Sequence, residues 1–340
     1  MMAAPPSFWW TKPGWQALCL APIAAIYGLV SGYRVRQARG FPAAVPVLCI
    51  GNFTLGGAGK TPTALALAKA AKAMGLTPGF LSRGYGGSIG TAVLVDSARY
   101  TAADVGDEPL LLAGVALTAI SRTRVEGARL LAERGVDLIL MDDGFQSARI
   151  AIDYALIVAD ARRGVGNGLV FPAGPLRVPL SVQRPAASAL LIVGEGQAGA
   201  ALAADFAATG KPVFTAALRP AEAPGLQGAR VLAFAGIADP GKFQRTLEEL
   251  GAEVVVRRDF ADHAPLADAE IAALLKDADA GDLKLVTTAK DAVRLAGRAG
   301  LAAELLNRMR VVEVEMAFAD PQAPQAIIAA AIAAGRARLG

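Results

Sequence analysis

The sequence has few of the residues that form soft metal sites. It contains two cysteines, Cys19 and Cys49, and one histidine, His263, in 340 residues. This set cannot form a zinc site of four cysteines, or one of two cysteines and two histidines, so a metal in this protein would need hard oxygen ligands. Any imidazole acid, base or triad member would have to be His263. Disulfides are not required either, because this length predicts roughly two domains of about 150 residues, each with ample core.

Acidic residues are missing from the first part of the chain. No Asp or Glu precedes Asp96, whereas the same stretch carries eight basic residues: Lys12, Arg34, Arg36, Arg39, Lys60, Lys69, Lys72 and Arg83. The formal charge of the whole chain is +4, so the remainder is net acidic. A basic end of this kind indicates an anionic partner, such as a membrane surface, nucleic acid or a phosphorylated substrate.

Aromatic residues are scarce, at 6%, although 54% of the residues are hydrophobic. One uncharged apolar segment, 13–33, is as long as a membrane-spanning helix of about 20 residues. Tryptophan occurs only before this segment or near its start, as Trp9, Trp10 and Trp15. Three residues that disfavour a regular spanning helix interrupt it: Pro22, Gly28 and Gly32. We therefore predict that residues 1–40 associate with a membrane through a helix in the headgroup region.

Three other interpretations of this segment remain open. It is long enough to span the bilayer, and it also fits a first helix packed on the protein's own core. The basic and apolar order fits a cleaved secretory signal as well. Export is the least favoured of these interpretations.

A glycine-rich loop lies between a predicted strand and a predicted helix. Residues 45–50 are apolar, and an Ala/Leu/Lys stretch runs from Pro62 to Gly75, where the helix is expected to end. Between them the chain matches the pattern G-x-x-x-x-G-K-[ST], with Thr in place of the first glycine. Backbone N–H groups and a helix N-terminus bind phosphate in such loops. The predicted nucleotide-binding residues are Thr54, Gly56, Gly57, Ala58, Gly59, Lys60 and Thr61.

Acidic residues follow a second predicted strand. Residues 136–141 (VDLILM) are apolar except for Asp137 and precede Asp142 and Asp143. A P-loop holds Mg²⁺ through its Ser/Thr hydroxyl and a carboxylate at the end of a neighbouring strand. We therefore predict Thr61 and at least one of the two aspartates as magnesium ligands. The predicted nucleotide is ATP, because residues 288–291 (TAKD) do not match the Asn/Thr-Lys-x-Asp box of GTPases.

Several short motifs occur in the order found in one enzyme family. They are 81–87 (LSRGYGG), 105–109 (VGDEP), 142–146 (DDGFQ), 166–168 (GNG) with 172–177 (PAGPLR), 234–237 (FAGI), 260–263 (FADH) and 287–293 (TTAKDAV). From about residue 10 to 318 the chain resembles the tetraacyldisaccharide 4′-kinases, the lipid A kinases of the bacterial inner membrane. The resemblance implies transfer of the ATP γ-phosphoryl group to the 4′-hydroxyl of a tetraacylated glucosamine disaccharide 1-phosphate. The alternative is another membrane-associated P-loop NTPase or a nucleotide-dependent scaffold.

The same resemblance implies catalytic residues. Asp107 matches the family's proposed base, and His263 matches the histidine thought to pair with it. Glu108 is expected near the metal as a further acidic group. The chain departs from the family pattern at Ser147, Val178, Ala264 and Ala289, where relatives usually have His, Glu, His and Glu. Either those positions are auxiliary, or activity and substrate preference have shifted.

Three arginines are the cations expected to bind phosphate oxygens or the charge that develops during transfer: Arg83, Arg124 and Arg177. A planar guanidinium can contact two phosphate oxygens at once. Asn52 and Tyr85 are candidates for contact with the glucosamine or its headgroup. The ordinary alternatives are a solvated arginine, a turn-capping asparagine and a packed tyrosine.

The order of elements predicts an α/β fold, with a P-loop NTPase-like three-layer domain around a mainly parallel sheet and a smaller second α/β domain. The strands predicted after the phosphate loop are 91–95, 136–141, 154–159, 188–193, 212–218, 230–235, 253–257, 283–287 and 311–318. The predicted divisions are the membrane-associated segment 1–40, the P-loop domain 41–208, a connector 209–225 and the smaller domain 226–340. Strands 212–218 and 311–318 are predicted to pair as a two-stranded connector.

The resemblance also implies where the protein works and with what. The expected location is the cytoplasmic face of the bacterial inner membrane, and the expected partners are the lipid disaccharide 1-phosphate and anionic lipids. No nucleic acid or protein partner is predicted. We expect closure of the two domains to bring Asp107 and His263 together over the substrate and to exclude water.

Overall fold

The computed structural model describes residues 5–37, 40–147, 149–237, 239–262 and 264–340. His263 lies outside the described residues. A 3-10 turn at Ser7–Trp10 precedes the first helix. The helices are α1 (Trp15–Arg36), α2 (Lys60–Ala73), α3 (Ala102–Val105), α4 (Asp107–Ala113), α5 (Val125–Glu133), α6 (Leu180–Ala186), α7 (Gln197–Ala207), α8 (Pro240–Glu249), α9 (Asp268–Gly281), α10 (Ala289–Leu295), α11 (Leu301–Arg308) and α12 (Ala323–Leu339).

The strands form two separate sheets. They are β1 (Val47–Gly51), β2 (Pro78–Ser82), β3 (Val93–Leu94), β4 (Leu117–Ile120), β5 (Leu138–Asp142), β6 (Tyr154–Asp160), β7 (Ala189–Val193), β8 (Val213–Pro220), β9 (Arg230–Ala235), β10 (Glu253–Asp259), β11 (Lys284–Thr288), β12 (Arg310–Val312) and β13 (Val314–Phe318). The large sheet has the order β13-β8-β7-β6-β1-β5-β2-β4-β3, and the small sheet has the order β10-β9-β11-β12.

The large sheet is parallel from β8 to β4, and its antiparallel strands, β3 and β13, lie at the two edges. The central strand β1 is buried on both faces. Val47 and Cys49 belong to one core with α5 and α7, while Leu48 and Ile50 belong to the other with α2, α4 and α12. Apolar side chains on both faces require helices on both sides of the sheet. The predicted three-layer, mainly parallel fold is confirmed.

The small sheet is parallel throughout and is also covered on both faces. Leu232 and Phe234 of β9 pack against α9, α10 and α11, whereas the alternate residues Val231 and Ala233 pack against α8. In a parallel sheet the carboxyl ends of all strands lie at one edge. The carboxyl edge of the small sheet includes Gly236, which follows β9, and the start of α10, which follows β11.

Two parts of the predicted domain division differ from the structure. Strands β8 and β13 pair, as predicted, but β8 also pairs with β7, so both strands belong to the edge of the large sheet and do not form a separate connector. The single strand predicted at 311–318 is two strands, of which β12 joins the small sheet and β13 the large one. Helix α12 returns as well, because Ile327 and Ile328 are fully buried in the core beside α2. Residues 314–340 therefore pack with the large sheet and not with the smaller unit.

Helix α1 covers the predicted apolar segment and packs through its small residues. Ala17, Ala24, Gly28 and Gly32 are buried, and the two glycines lie against Pro179 at the start of α6. The large apolar side chains point outward and are 43 to 76% exposed: Trp15, Leu18, Ile23, Ile26, Tyr27, Leu29, Val30 and Tyr33. By length and composition this helix is able to cross a membrane. It is not a helix buried in the protein's core.

Candidate active site

The carboxyl ends of β1, β5, β2 and β4 lie side by side at one edge of the large sheet. The loop between β1 and α2 occupies this edge, and its backbone needs glycine at two points. Gly56 has φ +111° and Gly59 has φ +93°, values that other residues rarely adopt. Open space surrounds Gly56 and Gly57, where an added Cβ would meet no heavy atom within 4 Å. The loop thus leaves the N-terminus of α2 accessible to an anion.

Neighbouring segments hold this loop in place. Asn52 donates from Nδ2 to the carbonyl oxygen of Gly56 at 3.0 Å, and the N–H of Leu55 donates to Pro175 at 2.8 Å. Thr54, which replaces the first glycine of the motif, forms an antiparallel bridge with Leu176. A residue with a Cβ fits there because the backbone is extended at the bridge. The PAGPLR segment therefore supports the loop 52–59 between β1 and α2, which we call the phosphate loop.

Asn52 is completely buried, so it shapes the loop and is not presented to solvent. Its backbone oxygen accepts a hydrogen bond from Gln146 of the DDGFQ motif at 2.7 Å, and Gln146 also donates to Gln183 at 2.8 Å. Gln183, in α6, is buried and donates to the carbonyl oxygen of Phe53 at 3.3 Å. Sequence reasoning missed Gln183, because the partners that link it to the loop, Gln146 and Phe53, lie more than 30 positions away. Tyr85 of the LSRGYGG motif is 56% exposed.

Asp142 ends β5 directly beside Ile50 of β1. Its Oδ1 atom is buried and has no hydrogen-bond partner among the described residues. Burial, with a further contribution from the negative charge of Glu108, raises the pKa of Asp142 to about 7. A buried carboxylate with an unpartnered oxygen is costly unless a cation or donor reaches it. Asp142 therefore has the features of a cation ligand.

Asp143 is held differently from its neighbour. Its carboxylate accepts two hydrogen bonds from Arg177, at 2.9 and 3.1 Å, and lies 3.8 Å from Nζ of Lys60. Burial acts to raise the pKa of Asp143, but the charges of Lys60 and Arg177 outweigh it and lower that pKa. Arg177 also donates from Nε to the carbonyl oxygen of Thr54 at 3.3 Å. Asp143 thus fixes the positions of two cations beside the phosphate loop.

The other two predicted arginines occupy the neighbouring strand ends. Arg124 is 5% exposed, has φ +65° and donates from Nη2 to the carbonyl oxygen of Asp143 at 2.6 Å. Burial lowers the pKa of Arg124, and the positive charge of Arg83 acts in the same direction. Arg83 itself follows β2 and is exposed. The structure thus brings Arg124 and Arg177 to Asp143, with Arg83 at the same edge.

The residues available for magnesium are Thr61, Asp142 and Glu108. No group of three or more His, Cys, Asp or Glu side chains forms a metal cage within the part of the chain that the structure describes. Mg²⁺ usually needs only one or two carboxylates, because nucleotide phosphates and water complete its coordination. The unpartnered Oδ1 of Asp142, one strand away from the phosphate loop, fits this requirement.

Asp107 and Glu108 begin α4 and face two cations from the small-sheet side. Oδ2 of Asp107 accepts hydrogen bonds from Nε and Nη2 of Arg294 at 3.0 and 2.5 Å. Oε1 of Glu108 accepts one from Nζ of Lys290 at 2.8 Å. Burial acts to lower the pKa of Lys290, but the carboxylates of Glu108 and Asp107 raise it overall. Asp262, next to His263 in the sequence, has Oδ1 4.0 Å from Nη2 of Arg294.

Lys290 and Arg294 were missed as site residues. Lys290 lies within the quoted motif 287–293, and Arg294 follows that motif directly. Four positions separate them on α10, so both side chains lie on one face of the helix. This spacing of two cations is the signal that the sequence offered. The carboxylates that they contact at the start of α4, Glu108 and Asp107, are however more than 180 residues away.

Comparison with known proteins adds to this geometry. A family model described as tetraacyldisaccharide-1-P 4′-kinase matches residues 16–333. A tetraacyldisaccharide 4′-kinase of Agrobacterium fabrum is 56% identical over 339 residues, which cover 100% of this chain and 97% of that protein. One from Rhizobium rhizogenes is 56% identical over 338 residues, or 99% of this chain and 95% of that protein.

A solved structure is also similar in fold. The crystal structure of LpxK from Aquifex aeolicus in complex with ATP has a TM-score of 0.71 and 23% sequence identity, and the match covers 93% of this chain and 99% of that one. At this identity the likeness concerns the fold alone. The family model and the close relatives carry the assignment: the chain belongs to the tetraacyldisaccharide-1-P 4′-kinase family.

Proposed function

We propose that this chain is a lipid kinase that transfers the γ-phosphoryl group of ATP to the 4′-hydroxyl of a tetraacylated glucosamine disaccharide 1-phosphate. One arrangement carries the proposal: Lys60 and Thr61 start the helix after a phosphate loop, and Asp142 ends the adjacent parallel strand. This is the machinery of phosphoryl transfer. Relatives named tetraacyldisaccharide 4′-kinase, similar over nearly their whole length, support the same reaction here.

The phosphate loop binds the ATP phosphates in this proposal. Backbone N–H groups from Gly56 to Lys60 and the positive end of α2 attract the anion. Lys60 adds a full positive charge, and its Nζ lies 3.8 Å from Oδ1 of Asp143. Arg177 and Arg124, both bound to Asp143 beside the loop, would oppose charge on the transferred group. Most of the catalytic effect then comes from positioning and electrostatics.

Thr61, Asp142 and Glu108 would hold magnesium. When bound, this ion would neutralise charge on the β- and γ-phosphates. Asp142 is the better ligand of the two aspartates, because its Oδ1 lacks a partner among the described residues while both oxygens of Asp143 bind Arg177. The positive charge of Lys290 also reaches Asp142 and Glu108, which limits repulsion between these carboxylates.

Asp107 is the proposed proton acceptor. The acceptor hydroxyl is a weak nucleophile, so a positioned carboxylate has to take its proton as the new O–P bond forms. Oδ1 of Asp107 accepts a hydrogen bond from the N–H of Glu108 at 3.0 Å, and Oδ2 is bound by Arg294. These contacts fix the plane of the carboxylate. The role of His263 as its partner stays a prediction.

The outer face of α1 is the proposed membrane-binding surface. Acyl chains leave a bilayer at a cost of about 0.8 kcal/mol per exposed CH₂, so an enzyme that acts on such a lipid has to work at the membrane. The exposed apolar side chains of α1 and the neighbouring Phe171, which stacks edge-on with Trp9 and Tyr27, provide a suitable surface. We propose the cytoplasmic face of the inner membrane as the location, where ATP is available.

The decisive assay uses the full chain in detergent with Mg²⁺, labelled ATP and the tetraacyl disaccharide 1-phosphate. The expected result is label on the lipid, in amounts that depend on both the acceptor and ATP. ATP binding or hydrolysis without transfer to the lipid would refute the proposal and favour another P-loop NTPase or a nucleotide-dependent scaffold. A matched acceptor that already carries a 4′-phosphate should receive no label, which establishes the position of transfer.

A further inference from the structure

Arg294 is a buried cation in contact with three carboxylates. Its side chain is 8% exposed, and that of Asp107 is 5% exposed. Nε and Nη2 both donate to Oδ2 of Asp107, while Nη1 donates to Oδ1 of Asp291 at 2.9 Å. Asp262 lies at 4.0 Å. A charged group this deeply buried is retained only where its partners compensate for the lost hydration.

The guanidinium is itself held on the side away from Asp107. Nη1 donates to the carbonyl oxygen of Gly236 at 2.7 Å as well as to Asp291. Asp291 is fixed in turn, because Oδ2 accepts from the hydroxyl of Thr288 at 2.6 Å and Oδ1 accepts from the N–H of Gly236 at 3.0 Å. The Arg294 side chain, which would otherwise sample many rotamers, is thus held in one orientation by contacts other than the one to Asp107.

Close packing around Gly236 explains why the FAGI motif has a glycine after β9. A Cβ at this position would lie 3.1 Å from Oδ1 of Asp291 and 3.2 Å from Nη1 of Arg294. The carbonyl oxygen of Ala261 would also lie at 3.2 Å. All three distances are tighter than ordinary contact, so a larger residue would shift the paired Asp291 and Arg294 side chains or the Ala261 backbone by a few tenths of an ångström. The glycine of the motif therefore leaves room for Arg294 in its observed position.

Lys290 provides an internal comparison on the same helix. It donates to Glu108, the residue next to Asp107, but this pair is more open, with side chains 29 and 30% exposed. An ammonium group is a compact charge without the planar fork of a guanidinium. The two contacts therefore differ in how strictly they orient a carboxylate. Arg294 holds Asp107 by two hydrogen bonds from a fixed guanidinium, whereas Lys290 mainly supplies positive charge to Glu108.

We propose that Arg294 is a positioning residue that orients the carboxylate of Asp107 for proton transfer from the acceptor hydroxyl. The inference rests on the proposed kinase function. Arg294 belongs to α10, on the small-sheet side, whereas Asp107 begins α4, on the large-sheet side. Asp107 therefore has its working orientation only when the carboxyl edges of the two sheets meet. A displacement of about 1 Å at such a site can cost about 10²-fold in rate.

The test compares Arg294→Lys and Arg294→Met with the wild type, measuring kcat, KM for both substrates, ATP affinity and thermal unfolding. We expect kcat to fall by about 10²-fold in Arg294→Met, with partial recovery in Arg294→Lys and ATP affinity within about 3-fold of wild type. Arg298→Met is the matched control, since Arg298 pairs with the exposed Asp268 and should tolerate the change. An Arg294→Met protein that keeps wild-type kcat would overturn the inference.

Gly236→Ala tests the same contact without removing the buried guanidinium, so it remains informative if Arg294→Met does not fold. It keeps every charge and is expected to lower kcat by about 10-fold while ATP affinity stays near wild type. Gly241→Ala in α8 is its control, because a Cβ there makes only ordinary contacts, at 3.4 Å or more. Equal losses of kcat, ATP affinity and thermal stability in Gly236→Ala and Arg294→Lys would show a merely structural role. Absence of transfer by the wild type would instead refute the proposed function.

Discussion

The phosphate loop and the contact between α4 and α10 both belong to the candidate site, but the chain builds them in different ways. In the loop, the hydrogen bond from Asn52 to Gly56 joins residues four positions apart. In the contact, the bond from Arg294 to Asp107 joins residues 187 positions apart. The loop binds an anion through backbone conformation and one helix N-terminus. The contact exists only because two separate sheets present their carboxyl edges to each other.

The two regions are expected to serve different steps, nucleotide binding and phosphoryl transfer. The loop is the part that any P-loop protein needs, and its glycines and lysine are set by phosphate geometry. The contact holds Asp107 and Glu108, the carboxylates proposed for this particular reaction, and depends on the two elements α4 and α10. Changes in the loop should therefore abolish nucleotide use, whereas changes in the contact should leave nucleotide binding intact and reduce transfer.

The largest effect is expected at the loop. Lys60→Met removes the side-chain charge that the first residue of α2 directs at the phosphates, and kcat/KM for ATP should fall by about 10³-fold, at the upper end of what one electrostatic contact contributes. The thermal midpoint should change by only a few degrees. Initial rates at varied ATP measure the first effect and calorimetry the second.

Lys69→Met is the matched control for this variant. Lys69 lies on the same helix and pairs with Glu315 on the exposed surface, where such a pair contributes about 0 to 1 kcal/mol. Its loss should leave the kinetics unchanged. Similar kinetic losses in both variants would mean that charge on α2 acts through the general field of the protein and not through the loop.

At the contact, Asp107→Asn should lower kcat by about 10²-fold or more, because the amide cannot accept the proton as a carboxylate does. ATP affinity should stay within about 3-fold of wild type, in contrast with the loop variant. Asp104→Asn serves as the control, since Asp104 caps α3 through Thr101 and should affect stability alone. If Asp107→Asn weakened ATP binding as much as it slowed turnover, Asp107 would be structural or metal-binding.

The same contrast explains what the sequence could and could not predict. Strands such as β5 and β7 were predicted from continuous apolar runs, and the loop from contiguous glycines. Strand β2 was missed because it starts with Pro78 and Gly79, yet Gly79 is what permits close packing: a Cβ there would lie 2.8 Å from Val136. Residues whose role depends on partners across the fold, such as Arg294, give only a weak local signal, here the four-position spacing from Lys290, and the sequence does not identify the distant partner. The return of residues 314–340 to the large sheet was missed for the same reason.

Adjacent aspartates provide a finer comparison within the large-sheet edge. Asp142→Asn should raise the Mg²⁺ concentration for half-maximal rate by about 10²-fold. Asp143→Asn should raise it by about 10-fold or less, because Asp143 would hold neighbouring side chains in place without binding the metal itself. The reason is that both oxygens of Asp143 bind Arg177, while Oδ1 of Asp142 lacks a partner among the described residues. Rates at fixed ATP and varied Mg²⁺ give both values. The reverse order would assign the metal to Asp143.

The smallest effect is expected at a second contact between the large-sheet and small-sheet sides, formed by residues with no proposed role in the chemistry. Lys242 of α8 donates to Asp160 at the end of β6 at 2.6 Å. Burial acts to raise the pKa of Asp160, but the bond to Lys242 lowers it below 3.8. The ionised pair therefore stabilises the fold above pH 3.8, and this contribution is lost as the pH falls through the lowered pKa.

At pH 7, Asp160→Asn should lower the free energy of unfolding by about 1 kcal/mol, because Lys242 is partly exposed. Urea unfolding of both single variants and the Asp160→Asn, Lys242→Met double variant isolates the pair. A kcat that fell with this stability, as at Arg294, would show that any contact between the two sides controls turnover and that the α4 and α10 contact has no special role.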